Sequence, residues 1–227
     1  MSRPSALRIA IVVLLLTGLL AATYSAGKRG LADVVAQPAR YEMDRWRSGR
    51  IAPDRFRFDI SHAALMRALE LDTINPNLLE DLGRLYAASV EQGVAVNPYV
   101  RDMRQQSRMY YSQAVAYRPT SGRAYGAVAG IKFALGDLDS EFSASLLLAH
   151  RRGPWDPQLQ LLVIELGLAS WQSLPDENRQ MLGEAIHAQA QWKLANQKPA
   201  LTALLSRYGR SDLSCLLDSQ PKACGAS

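Results

Sequence analysis

The sequence has few of the side chains that build catalytic or metal sites. Its 227 residues include two cysteines and three histidines, and none of these lies close to another at metal-ligand spacing. Structural zinc sites need several such ligands at short, regular spacing, and no glycine-rich phosphate loop or nucleophile motif is present either. We therefore predict no catalytic residue, no metal and no cofactor, and interpret the chain as a non-enzymatic protein.

One acid–histidine pair comes nearest to a metal motif. Glu184 and His187 lie three residues apart on one face of a predicted helix, which is half of a di-iron helix motif. Because the partner carboxylates at helical spacing are missing from the sequence, we interpret the two as a surface pair. His62 and His150 are isolated in sequence, so no acid–base arrangement is assigned to them.

Acidic residues are absent from the first 32 positions, which hold four basic residues. The net charge of the whole chain is +5, and removing those four from 26 leaves 22 basic against 21 acidic residues. The remainder is close to neutral, so the charge does not indicate a nucleic-acid-binding face. We predict no nucleic-acid partner.

The longest apolar run, residues 9–26, contains no charge. A helix needs about 20 apolar residues to cross a bilayer, so we predict an uncleaved transmembrane signal anchor at 9–26. The alternative is a cleaved signal peptide, but Tyr24 stands at the third position before a cut after Ala26 and makes a poor cleavage site. Both interpretations place the body outside the cytoplasm.

The orientation follows from the long C-terminal part, which is commonly translocated after such a start. The basic residues on the two sides of the apolar run balance each other and do not decide it. We predict a cytoplasmic tail at 1–8, a single membrane pass at 9–26 and a soluble domain outside the cytoplasm.

A charge-dense segment follows the apolar run. We predict a juxtamembrane linker or helix at 27–57, with a helix restarting at Pro38. Its basic residues lie among acidic ones, so we favour a solvated helix with paired charges over a surface that attracts anionic lipid or an acidic polymer. The residues assigned to an apolar stripe are Val34, Tyr41, Met43 and Trp46.

Helix ends recur through residues 58–210. Each of Ala68, Ala114 and Ala149 is followed by a chain-stopping turn, and the alanines are 46 and 35 residues apart. Helix–turn–helix boundaries that recur along the chain predict stacked helical hairpins. No segment shows a convincing strand pattern. The predicted fold class is all-α, with a right-handed stack of about eight helices behind one N-terminal transmembrane helix.

The repeat resembles the tetratricopeptide repeat, whose period is about 34 residues. Thr73 stands where a proline is expected, Ala129 replaces a glycine, and the first interval is too long. The residues that match the pattern are Leu79, Leu82, Gly83 and Tyr86 in a first helix, Ala114 and Pro119 at the end of a second, and Gly136-Asp137 in the turn between helices.

The extra residues of the first repeat fall in 91–101, where Gly93 and Asn97-Pro98 indicate a loop. Loops inserted on one side of a helical stack frequently bind partners, and an inert insertion is the alternative of equal weight. The predicted partner-binding residues are Glu91, Asn97, Tyr99, Arg101 and Arg118.

Both cysteines lie in a predicted C-terminal tail, 211–227. In an oxidising periplasm a disulfide between Cys215 and Cys224 would tie the tail back. A buried Cys215 with a free Cys224 is the alternative of equal weight.

The layout resembles the VpsP-type accessory proteins of bacterial exopolysaccharide biosynthesis. Besides the short anchor and the degenerate repeats, the resemblance rests on the Arg-Gly-Pro-Trp-Asp-Pro turn at 152–157 and the Leu-Leu-Ser-Arg-Tyr-Gly-Arg run at 204–210. It implies a role beside the polymerase and export machinery at the bacterial inner membrane, with the soluble domain in the periplasm. Envelope proteins of that complex would be the partners, and no catalytic residue is implied. We expect a membrane-anchored periplasmic scaffold; the alternative is a carbohydrate-binding or carbohydrate-active periplasmic protein.

Overall fold

The structure is a computed structural model that describes residues 6–90, 97–192 and 197–218. Every regular element in these ranges is helical, which confirms the all-α prediction. The chain divides into two compact units, Met1–Ser89 and Val90–Ser227, called here the first and the second unit.

The first unit contains α1 (Ala6–Arg47), α2 (Arg55–Leu71) and α3 (Pro76–Ala88). Helix α1 has 42 residues, which corresponds to a length of about 63 Å. Residues 10–26 are exposed throughout, and among the described helices α1 is the one that is long and apolar enough to cross a membrane. The prediction of one candidate membrane helix at the N-terminus is confirmed.

Helix α1 does not end where the apolar run ends, and it does not restart at Pro38, which lies inside it. A proline removes one backbone hydrogen bond from a helix, and here the carbonyl left without a donor belongs to the exposed Val34. The predicted stripe is right for Met43 and Trp46, but Val34 and Tyr41 are 66% and 63% exposed. The buried stripe of α1 is Ala32, Ala36, Ala39, Met43 and Trp46.

Helix α2 runs antiparallel to α1. Arg57 near its start pairs with Glu42 at 2.8 Å, and Asp72 at its end lies 3.9 Å from Arg29. Helix α3 then returns along α1, where the Arg40 Nε donates to Asp81 Oδ2 at 2.6 Å. The apolar residues of α2 and α3 that are buried in this unit are Leu65, Ala68, Leu78, Leu79, Leu82 and Leu85.

The second unit is an array of helices in chain order. Each helix from α4 to α8 packs against the next one, and α5, α6 and α7 also pack against the helix after that, which is the neighbour order of a helical array. Right-handed, tetratricopeptide-like stacking stays a prediction. The helices are α4 (Pro98–Tyr117), α5 (Gly122–Leu135), α6 (Ser140–Arg152), α7 (Pro157–Ala169), α8 (Asp176–Gln191) and α9 (Lys198–Arg207), with short 3-10 helices at Trp171–Ser173 and Ser211–Leu217.

The three helix ends that the sequence singles out share one geometry. Ala68, Ala114 and Ala149 are fully buried, and each carbonyl accepts a hydrogen bond from the amide four residues later, at 3.2, 2.8 and 3.1 Å. The three residues that donate, Asp72, Arg118 and Gly153, have φ of −138°, −135° and −132°. Three residues further on, the side chains of Asn75, Ser121 and Asp156 cap the next helix. The sequence repeat is therefore a structural repeat at the helix junctions.

Glycines allow two of these junctions to touch. A Cβ atom on Gly122, the first residue of α5, would lie 2.7 Å from the backbone nitrogen of Gly153. One turn later, a Cβ atom on Gly126 would lie 2.5 Å from Leu159 Cδ1. The start of α5 therefore packs directly on the α6–α7 junction, at a distance that only glycine permits.

Candidate functional site

The predicted partner-binding residues that the structure describes lie at the two ends of α4. Asn97 caps this helix, because its Oδ1 accepts from the Tyr99 amide at 3.0 Å, and Tyr99 and Arg101 are exposed in the first turn. Arg118 follows the last residue of the helix, roughly 28 Å further along its axis. The structure therefore does not bring Arg118 together with Tyr99, because an unbroken helix separates them. Glu91 lies outside the described residues.

A large exposed aromatic lies at the edge of the second unit where two junctions meet. Trp155, in the turn between α6 and α7, is 84% exposed. Tyr117, which ends α4 at the neighbouring junction, is also exposed, and Arg123 Nε donates to Asp156 Oδ2 at 2.5 Å between the two junctions. We call this surface, Tyr117 and Trp155, the junction edge. Exposed tryptophan and tyrosine are the side chains that most often anchor protein interfaces.

The sequence interpretation used Trp155 only as part of the turn at 152–157. The signal for its exposure was nevertheless present, because Trp155 stands between Pro154 and the capping Asp156. A residue in that place is buried when it packs on an apolar fourth residue of the helix, but here the fourth residue is the polar Gln160.

The first unit carries an apolar groove between α1 and α2. Its volume is about 380 Å³. The walls are exposed apolar side chains, of which Phe56 is 74% exposed, and the ion pair of Glu42 with Arg57 closes one side at 2.8 Å. The residues that line this α1–α2 groove are Pro38, Ala39, Tyr41, Glu42, Phe56, Arg57, Ile60, Ser61 and Ala64.

The second unit has a polar pocket of about 300 Å³ between α6 and α8. His150 Nδ1 lies 2.7 Å from Oε1 of the buried Gln160, which fixes one side of the imidazole. Hydroxyl-rich ligands are recognised by polar groups of this kind. The lining residues are Leu147, His150, Arg151, Glu177, Gln180, Met181 and Glu184.

Glu184 and His187 do not pair with each other in the contacts of the described residues. Glu184 Oε1 accepts from Gln180 Nε2 at 3.2 Å, whereas His187 Nδ1 lies 3.0 Å from the Leu216 carbonyl. His187 therefore holds the Ser211–Leu217 turn against α8. Among the described residues no three or more histidine, cysteine, aspartate or glutamate side chains are arranged to hold a metal ion.

His62 packs between α2 and α3. Its ring stacks on Phe58 with centroids 5.9 Å apart, and its Nε2 lies 3.2 Å from the Tyr86 hydroxyl. Burial lowers the pKa of His62 below its ordinary value of 6.5. The contacts account for both His62 and the repeat residue Tyr86 as packing residues of the first unit.

The buried lysine of the second unit is fully paired. Lys132 is 1% exposed, and its Nζ lies 2.8 Å from Asp139 Oδ2 and 2.9 Å from Glu141 Oε2. Burial alone would lower the pKa of Lys132, but the hydrogen bonds that its ammonium donates to the two carboxylates outweigh this effect and raise the pKa. A lysine held in the charged form in this way joins α5 to the start of α6 and is not a nucleophile.

The structure describes one of the two cysteines. Cys215 is half-buried in the Ser211–Leu217 turn, and Cys224 lies outside the described residues. The disulfide between them stays a prediction.

No protein family, curated protein or solved structure matches this chain. The resemblance to VpsP-type proteins stays a prediction, and the function has to be inferred from the geometry described above.

Proposed function

We propose that this protein is a non-enzymatic scaffold of exopolysaccharide assembly, held in the bacterial inner membrane by residues 9–26 with its helical units in the periplasm. The observation that carries the proposal is the continuity of α1, which is an exposed apolar helix at 10–26 and a core helix of the first unit from Ala32 onward. The assignment to exopolysaccharide assembly comes from the resemblance to VpsP-type accessory proteins.

The end of the membrane segment carries the side chains expected at a bilayer surface. Tyr24 is followed by Lys28, whose Nζ lies 5.9 Å from the centre of the tyrosine ring, and by Arg29. Aromatic and basic residues are enriched at this depth. Because α1 continues without a break from there into the packed stripe, the first unit has a set height and orientation above the bilayer. A fixed position of this kind suits a protein that holds others in place.

The second unit supplies the surfaces on which envelope proteins of the polymerisation and export complex dock. The junction edge presents Trp155, and the start of α4 presents Tyr99 beside Arg101. Tryptophan, tyrosine and arginine contribute most to binding when a partner desolvates them.

The test uses the full-length chain in the native bacterium. Trp155→Ala and Tyr99→Ala remove the two aromatic anchors, and Thr120→Ala is the matched control, because Thr120 is the exposed residue at the equivalent place of the preceding junction. We expect the double aromatic variant to lose polymer secretion and co-purification of envelope proteins at an unchanged membrane level, with the control unaffected. Normal secretion from the double variant would contradict docking through these residues.

The anchor is tested separately by N-terminal sequencing of the protein recovered from membranes. We expect a chain that retains residues 9–26. A mature protein beginning near Gly27 would instead indicate cleavage and a soluble periplasmic form.

The polar pocket favours a second candidate function, carbohydrate binding in the periplasm. Its glutamate, glutamine, arginine and histidine side chains match the donors and acceptors of a polyol. Full-length protein in nanodiscs would then bind oligosaccharide without any partner, and Glu184→Gln together with Gln180→Ala would remove that binding. Tight binding that depends on these residues would favour this function over the scaffold.

A further inference from the structure

Beyond the membrane segment, α1 has three distinct faces. One face is the buried stripe that begins at Ala32. A second face is charged and carries Asp33, Arg40, Asp44 and Arg47, which pair along the helix at 3.1 and 2.8 Å. The third face is apolar and exposed, and it consists of Leu31, Val34, Pro38 and Tyr41. The Arg45 guanidinium lies 5.8 Å from the centre of the Tyr41 ring, and Tyr41 is nevertheless 63% exposed.

The exposed apolar face has the spacing of a coiled-coil seam. Its members are three, four and three residues apart, which is the alternation that lets one helix follow another along a left-handed supercoil. The same alternation extends back into the membrane segment through Gly27, Tyr24 and Leu20, all exposed. The face is therefore one continuous seam that begins inside the bilayer and ends at Tyr41.

Lipid does not reach the upper part of this seam. Tyr41 lies 13 residues beyond Lys28, a rise of about 20 Å along the helix. The headgroup region on each side of a bilayer is only about 5–8 Å thick. A partner that covers the face at Pro38 and Tyr41 therefore has to be a protein segment and not lipid.

We infer that this segment is α1 of a second copy of the chain, packed in parallel about a two-fold axis. A partner that follows the whole seam has to be a helix that leaves the same bilayer in the same direction at the same depth. A second α1 meets these conditions by construction, and it presents the same residues at the same height. A two-fold contact of this kind is self-complementary, as symmetric dimer interfaces are.

Helix α2 adds to the contact. Phe56 and Ile60 stand beside Tyr41 in the walls of the α1–α2 groove, so the α1 helix of the second copy lies against both helices of the first. The ionic groups next to the seam are neutralised within each copy, because Glu42 pairs with Arg45 at 3.4 Å and Arg57 pairs with both Glu42 and Asp54, at 2.8 and 2.9 Å. Two copies therefore meet without bringing unpaired like charges together.

The test is disulfide cross-linking of the full-length protein in its own membrane. In a background with Cys215→Ser and Cys224→Ser, one variant carries Val34→Cys and the matched control carries Asp33→Cys. Both positions are exposed and lie at almost the same height, but they face about 100° apart around the helix. Oxidation followed by non-reducing electrophoresis compares the two.

We expect the Val34→Cys protein to form a homodimer several-fold more efficiently than the Asp33→Cys protein. The difference should persist when expression is lowered, because a specific contact depends less on chance collision. Adding Leu31→Lys and Tyr41→Lys to the Val34→Cys chain should reduce its cross-linking several-fold. Equal cross-linking of the two faces, or none from Val34→Cys, would overturn the inference. A cross-linked species with the mass of a different protein would assign the seam to that protein and would also overturn it.

Discussion

Helix α1 and the helices of the second unit bury different kinds of side chain. In the first unit, three of the five residues that α1 contributes to the core are alanines. In the second unit, the core consists mainly of leucine, isoleucine, valine and phenylalanine from several helices. Since an alanine buries far less apolar surface than a leucine, the first unit depends on a long, closely packed α1. The comparison indicates that the first unit is an extension of the membrane helix, whereas the second is stabilised by its own helices.

The largest effect is expected from removing α1. A chain that begins at Ser48 keeps α2 and α3, with 17 and 13 residues, and isolated helices of this length are marginal in water. We expect amide hydrogen exchange in α2 and α3 to become as fast as in an unfolded peptide, while α6 to α8 stay protected. A chain that begins at Gly27 lacks only the apolar run and keeps the buried stripe of α1, so it is the matched control. Persistent protection of α2 and α3 without α1 would refute the dependence of the first unit on α1.

A smaller effect is expected from filling the close contact in the second unit. In Gly122→Ala, the new Cβ would meet the backbone of Gly153, and overpacking of this kind typically costs about 1–3 kcal/mol. Gly130→Ala is the control in the same helix, since a Cβ there meets nothing within 4 Å. Replacing a helical glycine in open space stabilises by about 0.5–1 kcal/mol. Urea unfolding should therefore shift in opposite directions for the two variants, and parallel shifts would argue against the tight contact.

The shared junction geometry predicts equal costs in both units. Asn75→Ala removes a helix cap from the first unit and Ser121→Ala removes the equivalent cap from the second, and each should cost about 1 kcal/mol. The neighbouring exposed threonines provide the controls, because Thr73→Ala and Thr120→Ala leave the caps in place. Thermal unfolding would measure all four variants. A cost confined to one unit would show that the junctions are not equivalent.

The smallest effect is a pH dependence confined to the first unit. Because burial lowers the pKa of His62 in the folded chain below its ordinary value of 6.5, the unfolded chain binds more protons between the two pKa values. The contribution of neutral His62 to stability is therefore present above pH 6.5 and is lost as the pH falls through that window. His62→Gln should remove this part of the pH dependence, as followed by exchange in α2. An unchanged pH profile in the variant would mean that another group is responsible.

The sequence alone was sufficient for features that depend on local chemistry. The helical fold, the membrane-length apolar run and the junctions after Ala68, Ala114 and Ala149 follow from apolar periodicity, capping residues and chain-stopping turns. Each of these features is decided by interactions between residues close together in the chain. For the same reason, the capping role of Asn97 was encoded in its place before Pro98.

Tertiary structure decided which side of each helix is covered. Val34 and Tyr41 belong to the same predicted stripe as Met43 and Trp46, yet only the latter two are buried, because α2 and α3 pack on their side of α1. Pro38 stays inside the helix because the packed stripe on both sides of it holds the helical conformation. Likewise, the length of α4 separates Tyr99 from Arg118, and an exposed Trp155 becomes a candidate anchor only once the α6–α7 turn is placed. Apolar character makes burial favourable, but contacts between residues distant in the chain determine which apolar side chains are buried.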